Sequence, residues 1–127
     1  MLIQFWHSSW YDYEKDLYNP IKQSILSKEN QIILPHDEIQ KELINSKDSL
    51  KNTDIFFAEV SYPSTWLWIE LGFANLYWVK IICFYKKWLK ISSSISNVCK
   101  DFFEYKNKEE MLENIEKNIN LLKTNSL

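Results

Sequence analysis

The stretch Asp54–Gly72, DIFFAEVSYPSTWLWIELG, decides how the rest of the chain is read. Ile55, Phe56, Phe57, Ala58 and Val60 form a short apolar run rich in β-formers, the pattern of a parallel strand buried on both faces. Ser61 to Thr65 break it. Pro63 cannot continue a central ladder, and the hydroxyls of Ser64 and Thr65 can cap a helix that begins around Trp66 or Leu67. Glu70 then falls in the first turns of that helix. In an open α/β sheet, ligands bind in the crevice outside the carboxyl ends of the strands. Ser64 and Glu70 therefore stand where chemistry is usually done, and the stretch is a candidate site.

On the N-terminal side, Leu2 to Phe5 read as a first strand, followed by the polar turn His7, Ser8, Ser9. Asp12 can cap a helix whose apolar positions are Leu17, Tyr18, Ile21, Ile25 and Leu26. Pro20 removes one backbone donor there and should kink the helix or restart it with Asn19 as cap. Gln31 to Leu34 form a second strand ending at Pro35, and Ile39, Leu43, Ile44 and Leu50 suggest a further helix. On the C-terminal side, Lys80 to Tyr85 make a fourth strand and Lys86 to Asn97 a serine-rich connection. Phe102 and Phe103 mark a fifth strand. Asn107 with Glu110 has the form of a capping box, and Leu112, Ile115, Ile119 and Leu122 are the apolar stripe of a closing helix. Strands alternating with helices predict a doubly wound, flavodoxin-like (Rossmann-like), mostly parallel five-stranded sheet with helices on both faces.

With 127 residues, 46% apolar and 25% charged, the chain has the size and composition of one domain, 1–127. Two cysteines, Cys83 and Cys99, are too few for a disulfide framework, which points to a reducing, cytoplasmic setting. No segment has the roughly 20 apolar residues of a membrane span. A net charge of −2, with lysine supplying every basic side chain and no arginine, leaves no basic face for a nucleic-acid polymer. His7 and His36 lack metal-ligand spacing, so no metal is expected.

AEVSYPST, then IELG, then Ala74, resembles the nucleoside 2-deoxyribosyltransferase family, closest to its 2'-deoxynucleoside 5'-phosphate N-hydrolase branch. The order of strands, the polar first loop and the hydroxyl-rich loop after the fourth strand follow the same family plan. The resemblance implies that Glu70 is a nucleophile attacking C1' of a deoxyribose, leaving a glycosyl-enzyme ester as in retaining glycosidases. It implies substrate-binding roles for Ser8 and Ser64. It matches Ser92 to a serine contributed by a neighbouring subunit, hence a homodimer. The substrate implied is a small deoxynucleoside or deoxynucleotide, and no cofactor is implied.

The chain departs from the family at three places. Ser46 stands where an aspartate helps protonate the leaving base, with Asp48 two residues away as the nearest acid. Trp10 replaces an arginine of the first loop. Trp66, Leu67 and Trp68 replace a glycine–any–glycine pattern that lets backbone approach the sugar. One glycine and six tryptophans make an unusual composition, since average usage puts glycine near 7%, or about nine residues. Trp6, Trp10, Trp78 and Trp88 also fall in loops or strand edges that would suit glycine. UGA codons read as glycine are therefore expected at positions 66 and 68.

Each candidate also has a plainer reading. Glu70 can be a carboxylate favoured by the helix dipole, and Glu59 either a carboxylate supporting the site or a strand-end charge. Asp48 and Asp37 can be helix caps, and Ser92 to Ser94 an ordinary polar loop. The second functional class is a catalytically inactive domain of the same fold that binds a nucleotide or a protein.

Overall fold

The computed structural model describes residues 1–37, 50–62, 64–91 and 93–125. Five strands, β1 (Leu2–His7), β2 (Gln31–Ile33), β3 (Ile55–Glu59), β4 (Lys80–Lys86) and β5 (Asp101–Tyr105), form one sheet in the order β2-β1-β3-β4-β5. Every pairing is parallel. Because β2 leaves β1 on one side and β3 lies on the other, the strand order reverses between β1 and β3. That reversal opens a crevice above their carboxyl ends. Register places His7 beside Glu59 and Glu59 beside Phe84, so β1 and β3 end at the same level while β4 runs two residues further, to Lys86.

Strand alternation divides the core. Ile3, Phe5, Ile55, Phe57, Ile82 and Phe84 pack under α1 (Asn19–Lys22), α2 (Leu26–Glu29) and the closing helix α4 (Lys108–Asn125) through Ile21, Leu26, Met111, Ile115 and Ile119. Phe56, Ala58, Ile81 and Cys83 pack on the other face against Leu67, Leu71 and Ala74 of α3 (Thr65–Leu76). Helices thus cover both faces, as a parallel sheet requires. At α4 the capping expectation holds: Asn107 Oδ1 accepts the Glu110 N–H at 2.8 Å.

Two local expectations need correction. Asn19 does not cap a restarted helix; its own N–H bonds to the Glu14 carbonyl, closing a π-helical turn, Glu14–Tyr18, that runs directly into α1. Pro20 sits at the junction, where its missing N–H costs least because the hydrogen-bond register is changing there. The helix after β3 begins at Thr65, one residue earlier than expected, because Ser64 Oγ accepts the Leu67 N–H at 3.4 Å and fixes the cap. The expected helix over Ile39 to Leu50 lies outside the described residues except for Leu50, which is buried.

Candidate active site

The crevice between β1 and β3 holds a cavity of about 330 Å³ lined by Trp6, His7, Ser9, His36, Ser64, Trp66 and Glu70. Ser64 and Trp66 come from the start of α3 and Glu70 from its second turn; positions 66 and 70, four apart, share one helix face. Glu70 is 6% exposed, and its Oε2 has no hydrogen-bond partner among the described residues. Burial raises its pKa above the ordinary carboxylate value. A buried carboxyl oxygen without a partner is costly to keep, on the order of 1–3 kcal/mol or more. Glu70 also lines the cavity, so its carboxyl group borders the space a ligand would take.

The opposite wall is an aromatic and imidazole box. His7 is 3% exposed. Its Nδ1–H donates to the Ser8 carbonyl at 3.0 Å, which leaves Nε2 to accept the Tyr18 hydroxyl at 2.7 Å. The Tyr18 oxygen in turn accepts the backbone N–H of His36 at 3.0 Å. Tyr13 stacks on His7 with ring centroids 4.6 Å apart, and the His36 ring lies 5.2 Å from that of His7. Burial is the main reason His7 is pushed down to about 4; the bond to the Ser8 carbonyl opposes this and His36 adds to it. His7 is therefore neutral near pH 7, with both ring nitrogens committed.

Glu59 stands apart from this cavity. Strand alternation turns it to the face of Tyr11 and Tyr105, where its carboxylate accepts the Ser61 N–H at 2.6 Å, the Ser61 hydroxyl at 3.0 Å and the Tyr105 hydroxyl. Burial raises its pKa, and the Tyr105 and Ser61 bonds pull the other way. Ser61 Oγ also accepts the Lys86 N–H at 2.8 Å, so Glu59 ties the end of β3 to the end of β4. The network sets the direction in which the chain leaves β3 toward Ser64.

Several site expectations therefore separate. Ser64, Trp66 and Glu70 come together on one cavity. Trp68 lines a different cavity of about 340 Å³, with Tyr62, Lys90 and Ser94. It lies two residues, or about 200°, around the helix from Trp66. Ser8 is buried in the first turn with its hydroxyl accepting the Trp10 N–H at 3.1 Å, and its neighbour Ser9 lines the Glu70 cavity instead. Asp48, Ser46 and Ser92 lie outside the described residues. His7, His36 and Trp6 were not expected at the site. The available signal was position alone: His7 ends β1, the strand that flanks the reversal in strand order.

Solved structures with the same fold include a CMP N-glycosidase from Clostridium botulinum, at 20% identity and TM-score 0.60, with 89% of this chain and 98% of that one covered. A 2-deoxyribosyltransferase from Leishmania mexicana matches at 14% identity and TM-score 0.58, covering 89% and 97%. Another, from Bacillus psychrosaccharolyticus, matches at 19% and 0.53, covering 81% and 86%. No protein-family model and no curated protein matches the chain. Among the described residues no helix is long and apolar enough to cross a membrane.

Proposed function

We propose that this protein cleaves or transfers the N-glycosidic bond of 2'-deoxynucleosides or their 5'-monophosphates, with Glu70 as nucleophile. The observation that carries the reading is the buried Glu70 carboxyl, its Oε2 without a partner among the described residues, in the wall of a cavity at the strand-order reversal. An ionised Glu70 oxygen attacks C1', the C1'–N bond breaks, and the base leaves with the electron pair and takes up a proton. Water or a second base then displaces the ester from C1', giving hydrolysis or transfer. A 2-deoxy sugar favours this path because its oxocarbenium-like transition state lacks the electron-withdrawing 2'-hydroxyl.

The remaining residues have roles that follow from their places. The N-terminus of α3, with Ser64 as its cap, offers a partial positive charge to a sugar hydroxyl or phosphate. Neutral His7, held by Ser8 and Tyr18, is a rigid wall and not a proton donor. His36, exposed at the rim of the same cavity, is placed to meet the leaving base. Asp48 is the acid proposed from the sequence for the same proton. Glu59 supports the turn to Ser64 and does not touch substrate, and Trp68 belongs to the neighbouring cavity.

The test is incubation with the four 2'-deoxynucleosides, their 5'-monophosphates and CMP, with and without a second base, followed by chromatography for released or exchanged base. CMP is included because one structural neighbour is a CMP N-glycosidase. Trapping with a slow substrate should add one deoxyribosyl group to the peptide carrying Glu70. No base from any donor would defeat the proposal. The homodimer expected from Ser92 is checked by sedimentation, and a monomer at micromolar concentration counts against a site shared between subunits.

A second reading has one observation in its favour. The Trp66 indole stands in the wall of the Glu70 cavity, where it takes space from a sugar. A domain that binds nucleotide without turnover fits that arrangement, and nucleotide-dependent thermal stabilisation with no base release would select it.

A further inference from the structure

Helix α3 ends in a Schellman motif: Val79 N–H bonds to the Ala74 carbonyl at 3.0 Å and Trp78 N–H to the Asn75 carbonyl at 3.2 Å. Trp78 occupies the left-handed position of that motif, with φ 61°, and among the described residues no other side-chain-bearing residue has positive φ. Glycine is the usual occupant there, because a Cβ meets the neighbouring carbonyl in that conformation. The indole gains nothing in return, being 94% exposed.

Three further tryptophans share the exposure of Trp78 but not its positive φ. Trp10 (82% exposed) is the third residue of a turn closed by Tyr11 N–H to the Ser8 carbonyl, and Trp88 (65%) the third residue of a turn closed by Leu89 N–H to the Lys86 carbonyl. Trp66 is 73% exposed. Tryptophan is on average a strongly buried residue. Meanwhile the single glycine, Gly72, lies inside α3 with nothing within 4 Å of an added Cβ and no positive φ. The chain holds its one glycine where none is needed and an indole where the backbone asks for glycine.

We infer that Trp10, Trp66, Trp78 and Trp88 are glycine positions, each specified by a UGA codon that the source organism's transfer RNA reads as glycine. UGA is a stop in the standard code and is read as tryptophan or as glycine in variant codes, so one codon accounts for all four sites. Trp6 and Trp68 are left out on structural grounds: the Trp6 Nε1–H donates to Gln4 Oε1 at 2.9 Å and its ring stacks over Phe56, and Trp68, where a UGA codon was also expected, is half-buried against the core beside Leu67 and Leu71. For the site, the consequence is a Glu70 cavity without the Trp66 wall. That part rests on the proposed function; the codon assignment does not.

The gene sequence at codons 10, 78 and 88, all outside the Glu70 cavity, is the first test, together with peptide masses of the protein isolated from its own source. UGA codons and glycine masses support the inference. UGG codons, or UGA with tryptophan masses, overturn it. In the tryptophan-containing chain, Trp78→Gly should raise the melting temperature by about 4 °C, whereas Trp6→Gly should lower it. A fall at position 78 contradicts the conformational argument. If glycosidase activity is established, Trp66→Gly should raise kcat/KM for the deoxyribosyl donor by about tenfold. An unchanged value removes Trp66 from the site while leaving the codon result standing.

Discussion

Lowering the pH should unfold this protein partly through one residue, His7. In the folded chain its imidazole is enclosed by Tyr13, Tyr18 and His36, with Nδ1–H given to the Ser8 carbonyl and Nε2 occupied by the Tyr18 hydroxyl. Burial lowers its pKa from 6.5 to about 4. Between those values an unfolded chain binds a proton that the folded chain refuses, so stability rises with pH across the window. The contribution is complete above pH 6.5 and is lost as the pH falls toward 4. At 1.36 kcal/mol per pKa unit the full effect is roughly 3 kcal/mol, of which about 2.5 kcal/mol is lost by pH 4.5. Glu59 and Glu70, whose pKa values are raised by burial, act in the opposite sense: their folded forms hold protons above the unfolded carboxylate value, so they weaken the protein as pH rises from about 4.5. Total stability therefore mixes opposing slopes. The difference between the parent and His7→Gln cancels the carboxylates and isolates the imidazole. Urea unfolding of both chains at intervals from pH 7.5 to 4.5 should give a difference that shifts by about 2.5 kcal/mol in favour of His7→Gln. A flat difference curve refutes the argument, because it means that His7 protonates equally well in both states.

Glu70→Ala should abolish base release yet leave stability nearly unchanged, since it removes a buried carboxyl oxygen that has no partner among the described residues; activity within a few-fold of the parent would exclude the nucleophile role. Glu59→Ala should cost about 3 kcal/mol, because it strands the Ser61 N–H and leaves the buried Tyr105 hydroxyl with the Tyr11 hydroxyl alone, and the loss should appear in the urea midpoint of chains that never see substrate. Ser64→Ala should destabilise α3 by about 1 kcal/mol through its lost cap, and hydrogen exchange at the Leu67 amide should report it. A loss of the same size in Ser64→Asn, which can still cap, would show that capping is not the cause.

The local part of this structure was legible in the residues themselves. Apolar runs such as Ile55 to Ala58 and Ile81 to Phe84 have the length and β-branched or aromatic character of buried strands. Ser64 and Asn107 mark helix starts through bonds that span three residues, and alternation of element types implied the parallel sheet. The site was legible only to the extent that its residues lie on one helix: Ser64 caps it and Glu70 falls in its second turn. What the tertiary structure decided was phase and neighbourhood. A shift of one residue along a strand reverses a side chain, so Glu59 joined Tyr105 on the far face and not Glu70. Two residues along a helix turn it by about 200°, so Trp68 left the cavity that Trp66 lines. His7 and His36, 29 positions apart, share a wall with Glu70 only because β1 lies between β2 and β3. Backbone conformation belongs to the same class: nothing in the residues flanking Trp78 fixes a φ of 61°, which follows from how α3 must end for the chain to enter β4.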